Sequence, residues 1–379
     1  MQTQLSYWEK DRYYSNIDVI IIGSGIVGLN AALNLKEKEP GLKVLIVERG
    51  ALPSGASTKN AGFACFGSPT ELIDDMARMP EDEVFALVEK RYRGLQKLRK
   101  NIGDEAMRFE NFGGSEVFSD EETFAECREH LSMFNRKLKS ITGLENSFVV
   151  ADEKISSFGL AGVKHLISIP AEGQIDTGRM MEALIAKVKS LGVNIINGLG
   201  VKRFETDADG VIVHTDQEYE IRAKKLLICV NGFAKKLLPA EDVEPARAQV
   251  LITNEIPGLK LKGTFHYDRG YYYFRNVGNR VLFGGGRNLD FTGENTTDHA
   301  LTAQIQNRLD DVLKTMILPG VNFKVEQRWS GTMGIGATKN PIVKKISDKV
   351  YCAVRMGGMG VALGSLSGEE AAELIINNE

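Results

Sequence analysis

The sequence predicts an α/β fold, a parallel sheet flanked by helices, with an inserted α+β part built on an antiparallel sheet. Three observations predict it. An apolar run near the start leads through a glycine-rich turn into a helical pattern. Alternating strand-like runs crowd into residues 249–283. A second glycine-rich turn follows the apolar run Val350–Val354 near the end of the chain. At 379 residues and 43% hydrophobic, the chain has material for two joined domains with sizeable cores.

Val19 to Ile22 reads as a buried parallel strand, followed by Gly23-Ser24-Gly25-Ile26-Val27-Gly28. Glycines at this spacing make a tight turn, let backbone approach a pyrophosphate and let the next helix pack closely. That helix, roughly Ile26 to Lys38, points its positive N-terminus at the phosphates. A second run, Val44 to Val47, ends in Glu48, a carboxylate placed for adenosine ribose hydroxyls. An acid there argues against a 2′-phosphate. The unit is a Rossmann-like dinucleotide site, with Gly23, Ser24, Gly25, Gly28, Glu48 and Arg49 as binding residues.

A loop of small residues follows, Gly50 to Gly62. Two amphipathic helices come next. Val84, Phe85, Val88, Tyr92, Leu95 and Leu98 share one face; Phe124, Cys127, Leu131, Phe134 and Leu138 share another. The first also carries Lys90, Arg91, Arg93, Lys97, Arg99 and Lys100, read as a solvated face. Asp176 precedes a helix through Met180, Leu184 and Val188, and a strand at Val193–Ile196 follows. Val201–Thr206 and Val211–Thr215 read as a hairpin. The apolar run Lys225–Val230 reads as another strand of the dinucleotide sheet. Val201 and Gly232, at the edges of these strands, are placed on the cofactor.

Gln249–Thr253, Tyr271–Arg275 and Arg280–Phe283 form the antiparallel sheet, and a helix fits Ala300 to Met316. The turn Gly357-Gly358-Met359-Gly360-Val361 opens the last helix. The expected division assigns 15–90, 150–240 and 326–379 to the dinucleotide domain. It assigns 91–149 and 241–325 to a substrate-binding domain.

The bulk properties exclude other classes. A net charge of −3 shows no basic bias for nucleic acid. The four cysteines form no metal-ligand spacing and fit a reducing compartment. The five histidines show no ligand spacing, so no metal is assigned. The polar segment Met1 to Asn16 lacks an apolar leader core, and no run approaches the ~20 apolar residues of a membrane span. A cytoplasmic protein is expected, and the sequence is silent on oligomeric state.

Four blocks, in order, resemble the FAD-dependent D-amino-acid oxidase superfamily, with its glycine, sarcosine and γ-glutamylputrescine oxidase branches nearest. They are the first turn with Glu48, the loop Gly55–Gly62, the strand pair Tyr271–Arg275 and Arg280–Gly286, and Trp329-Ser330-Gly331 with Gly358–Val361. The resemblance implies FAD, held by Ser57, Thr58, Asn60, Ala61, Gly62, Gly358, Met359, Gly360 and Val361 besides the first turn. It implies noncovalent FAD, because no cysteine stands at the C-terminal block. It implies a small amine or amino-acid substrate under a roof strand carrying Tyr273 and Arg275. Lys59 stands where the family often has Arg, and is expected to assist oxygen reduction. Met359 stands where the family commonly has His. No Arg occupies 332–334, where amino-acid oxidases hold a carboxylate. The reaction implied is oxidation of a C–N bond to an imine, with oxygen as acceptor. The alternative is a 2-hydroxy-acid dehydrogenase on the same fold, using a quinone or other acceptor.

Overall fold

The computed structural model describes residues 5–377, so Met1–Gln4 of the polar N-terminal segment lie outside the described residues. Strand Ile17–Ile22 is the centre of the parallel sheet, with Glu220–Ile228 on one side and Val44–Glu48 on the other. Val350–Val354 and Asn194–Asn197 extend it in parallel. The hairpin Val201–Thr206/Val211–Thr215 and the edge strand Ile342–Ser347 add antiparallel pairs. Residues 19–22 and 44–47 are all buried, which explains their unbroken apolar runs.

The helix over Ile26–Lys38 starts and stops as read from sequence. It packs beside the C-terminal helix Gly360–Ile376, which in turn packs on Glu81–Ile102. The last contact needs glycine: a Cβ on Gly94 would stand 2.1 Å from Ala362 O. The charged face of Glu81–Ile102 is not simply solvated, contrary to expectation. Lys90 and Lys97 pair with Glu370 and Glu369 on the C-terminal helix, and Arg91 is 1% exposed, bonded to Phe66 O. Neighbouring helices supply the acids, which periodicity within one helix does not reveal.

The second sheet has eight strands in the order Val325–Ile335, Glu244–Thr253, Arg280–Gly285, Tyr272–Val277, Thr264–Tyr267, Gly114–Phe118, His165–Ile169, Val149–Val150. Sheet membership departs from the division drawn from sequence. His165–Ile169 and most of Val325–Ile335, assigned there to the cofactor domain, hydrogen-bond in this sheet, which is antiparallel as expected except where Thr264–Tyr267 runs parallel to Gly114–Phe118. Each pairs with a strand far away in sequence, so local pattern carried no sign of it. Helix Ala303–Val312, continued by a π turn to Ile317, covers one face through Ile305, Leu309 and Leu313 packed with Phe265, Phe274 and Phe283. The other face carries Tyr273 and His266, directly paired across two strands, toward the parallel sheet.

Candidate active site

A cleft of about 740 Å³ runs between the two sheets, from Glu48 to the roof strand. At one end, Gly23 has φ +104°, and a Cβ there would meet Cys229 O at 2.7 Å. A Cβ on Gly28 would meet Gly23 O at 2.1 Å, so helix and turn touch backbone to backbone. Gly25 caps the helix without a side-chain acceptor, and Ile26 N donates to Ser57 Oγ at 3.0 Å. The N–H groups of Val27 and Gly28 remain for an anion.

Glu48 is 6% exposed and already accepts from five protein donors: Ser24 N and Oγ, Gly50 N, and Ser54 N and Oγ. Ser24 and Gly28 therefore build the turn from behind and do not line the cleft. Arg49 lies over the Phe233 ring, 3.7 Å from its centre, and lines the cleft with Val201. Gly232 does not line it; a Cβ there would meet Met333 O at 2.3 Å, so its role is packing.

The loop through Ser57–Gly62 crosses the middle of the cleft. Asn60 Oδ1 accepts from Gly62 N and Thr177 Oγ1. Ser57, Lys59, Asn60, Ala61 and Gly62 line the cleft, but Thr58 does not; its hydroxyl donates to Pro53 O at 2.7 Å. Lys59 makes no ion pair among the described residues, and its carbonyl accepts from Trp329 Nε1 at 2.9 Å. Arg275, expected at the substrate, is turned to a different task. It is 5% exposed, outside the cleft wall, and donates to Ala61 O, Ile175 O and Asn276 O. Burial pushes its guanidinium down to about 10. It staples the loop to the roof through these carbonyls, with Glu110 and Asp176 close enough to favour its charge but in no ion pair with it among the described residues.

Tyr273 does line the cleft, its ring edge-on to Phe63 at 5.7 Å, and burial pushes its phenol up to about 12. At the floor, Gly358, Met359, Gly360 and Val361 line the cleft, and Met359 caps the last helix without a side-chain bond. A second helix N-terminus thus faces the same space. Thr332 Oγ1 is buried at this wall and has no partner among the described residues.

Sequence reasoning missed several residues here. Cys65 Sγ lies 3.8 Å from Met359 Sδ, and Glu71 and His266 line the same end. Cys65, Glu172 and His266 bring donor atoms within 4.8 Å of one another, a grouping no sequence spacing announces. Ser68-x-x-Glu71 is a legible capping box, the one local signal among them.

A family model described as FAD dependent oxidoreductase matches residues 18–374. The chain belongs to that family. It is an FAD-dependent oxidoreductase, and the superfamily resemblance read from the four blocks holds. It is 24% identical over 376 residues to the probable oxidoreductase OrdL of Rhizobium meliloti, covering 95% of this chain and 83% of that protein. It is 23% identical over 380 residues to gamma-glutamylputrescine oxidoreductase of Escherichia coli, covering 94% and 83%. The glycine oxidase of Geobacillus kaustophilus superposes with a TM-score of 0.77 at 19% identity, covering 96% of this chain and 95% of that one; this likeness shows the fold.

The site fits the cofactor. The glycine cradle, two helix N-termini whose cap residues Gly25 and Met359 make no side-chain bond, and the unpartnered Thr332 hydroxyl all face one cleft. Among the described residues, no helix is long and apolar enough to cross a membrane, and all four cysteines are free and buried.

Proposed function

We propose that the chain oxidises the C–N bond of a small amine or amino acid to an imine, with oxygen as acceptor. Bound FAD supplies the two-electron acceptor for this chemistry. Gly23, Gly25 and Val27 would hold its diphosphate, with Gly28 packing the helix behind them, Glu48 and Arg49 its adenosine half, and Gly360 and Val361 the other end. The aromatic wall of Phe63 and Tyr273 is the observation that carries the reading. Burial against this wall strips water from an ammonium, and that desolvation favours the neutral amine that oxidation requires. Lys59, unpaired beside the loop, supplies positive charge for the reduction of oxygen.

We hold the FAD noncovalent. Cys65 is near Met359 in space, but burial, then Glu172 and Glu71, push its thiol well above the usual range, so little thiolate forms. Acid precipitation releases the colour; colour retained in the pellet points to Cys65. We read the protein as cytoplasmic, acting on a small-molecule substrate and not on nucleic acid.

The test is anaerobic flavin bleaching against amines, amino acids and 2-hydroxy acids. Amines are expected to bleach, and admitted air to restore colour quickly. Bleaching by hydroxy acids alone, with slow recovery in air, establishes the dehydrogenase alternative instead.

A further inference from the structure

The inner end of the cleft holds a charged group that C–N oxidation leaves unused. His266 is 4% exposed and lines the cleft. Its Nε2 is committed to Glu172 Oε2 at 2.9 Å, and Glu172 is fully buried. Its Nδ1 makes no hydrogen bond among the described residues; Glu71 Oε2 lies 4.0 Å away. Glu71 also lines the cleft, and its Oε2 accepts from Ser68 N at 3.0 Å. Glu71 Oε1 has no hydrogen-bond partner among the described residues. A donor and an acceptor thus stand side by side, unmet by protein.

Their charges narrow the occupant. Burial disfavours the imidazolium, but Glu172, then Glu71 and Glu116, outweigh it and push His266 up to about 9. Glu71 is held below the usual carboxylate range: burial raises it, and Lys339, His266 and Arg91 outweigh that. Glu116, bonded by Ser68 and Thr70, and the Cys65 thiol also lie on this side, and of the cleft-lining charges Lys339 is paired with Asp75 and Arg269 with Asp74, beside Arg78; Tyr273 and Phe63 are the aromatic neighbours. An anion at this place meets Glu71 and Glu172, and a cation meets the Nδ1–H. A neutral group with one acceptor and one donor satisfies both.

We propose that His266 and Glu71 form a subsite for a neutral donor–acceptor group of the substrate, a carboxamide or a hydroxyl. Its oxygen accepts from His266 Nδ1–H, and its N–H or O–H donates to Glu71. Glu172 is a positioning residue that keeps the imidazole charged and turned. The inference rests on reading this cleft as the substrate site.

Three isosteres test it: acetamide, acetate and acetamidine, titrated into the FAD-loaded enzyme near neutral pH and followed by ligand-observed NMR. Acetamide is expected to bind more tightly than either charged isostere by about fivefold or more. 2-Propanol, run alongside, separates the two sources; if it outbinds acetamide, the group is a hydroxyl. Glu71→Gln keeps the bond from Ser68 N, so folding is retained, and it should abolish the preference over acetate. His266→Leu should lose acetamide binding, and His266→Gln, which keeps a neutral donor, should restore it. Equal binding of the three isosteres, or an unchanged ranking in Glu71→Gln, overturns the proposal. These probes are not turned over. A preserved ranking with no amine bleaching the flavin therefore sinks only the amine reading, and the reverse outcome sinks only the subsite.

Discussion

The two ends of the cleft are built in opposite ways. At the cofactor end, Ser24 and Glu48 are 24 residues apart, within one strand–helix–strand unit. At the substrate end, His266 meets Glu172 across 94 residues, Arg275 meets Ala61 across 214, and Trp329 meets Lys59 across 270. The first end is a local device that a short stretch of sequence specifies. The second exists only once the antiparallel sheet closes over the loop Ser57–Gly62. The first should therefore fail through single backbone contacts. The second should fail through networks.

The largest effect should come from the local device. Gly28→Val places carbon against Gly23 O, a backbone atom that cannot step aside. Loss of about 3 kcal/mol or more, and of bound FAD, is expected. The ratio of flavin to protein absorbance on purification checks it. Full occupancy would move the phosphate turn elsewhere.

Arg275→Met should come next. It leaves the carbonyls of Ala61 and Ile175 without this donor, at about 2–3 kcal/mol, while Asn276 O keeps Gln174 Nε2. A falling melting temperature, with KM unchanged at temperatures where the protein stays folded, marks a staple. A raised KM without loss of stability would return Arg275 to the substrate.

The His266 network makes stability depend on pH. Folding raises its pKa from about 6.5 to about 9. The stabilisation is fully present below about pH 6.5 and is lost as pH rises through about 9, amounting to about 3 kcal/mol. Glu116, which burial raises to about 7 despite hydrogen bonds from Thr70 and Ser68, acts in the same direction at lower pH. Urea unfolding at about pH 7 and about pH 10 measures the difference. Glu172→Gln should shrink it; an equal difference in that variant would uncouple the pair.

Glu48→Ala should weaken FAD binding by about 1–2 kcal/mol. The five donors now on Glu48 make the effect partly one of loop order. Ser54→Ala separates the two contributions, since it spares the carboxylate. The smallest effect is expected at Lys59. Lys59→Met should slow recovery of flavin colour in air by about tenfold, or 1.4 kcal/mol, and barely change bleaching by substrate. Equal slowing of both would make it a substrate contact.

Legibility followed this contrast. The run from Val19 through Glu48 appeared in sequence with its turn, helix and acid in register, because period and glycine spacing are local properties. The roof strand was legible, as was its alternation, since Tyr273 faces the cleft and Tyr272 and Phe274 the core. The destination of Arg275 was not. Alternation gives a face, while partners come from whichever carbonyls the fold delivers to it.

The sequence by itself determined the dinucleotide unit, the order of the four blocks and the lack of a basic charge bias. Those depend on neighbours within a few turns or one strand pair. Tertiary structure alone decided that Arg91 is buried, that Cys65 sits beside Met359, and that Glu71, Glu172 and His266 share one wall. A buried charge is tolerable only beside partners, and those partners are brought there by sheet closure and helix packing, which no stretch of sequence records.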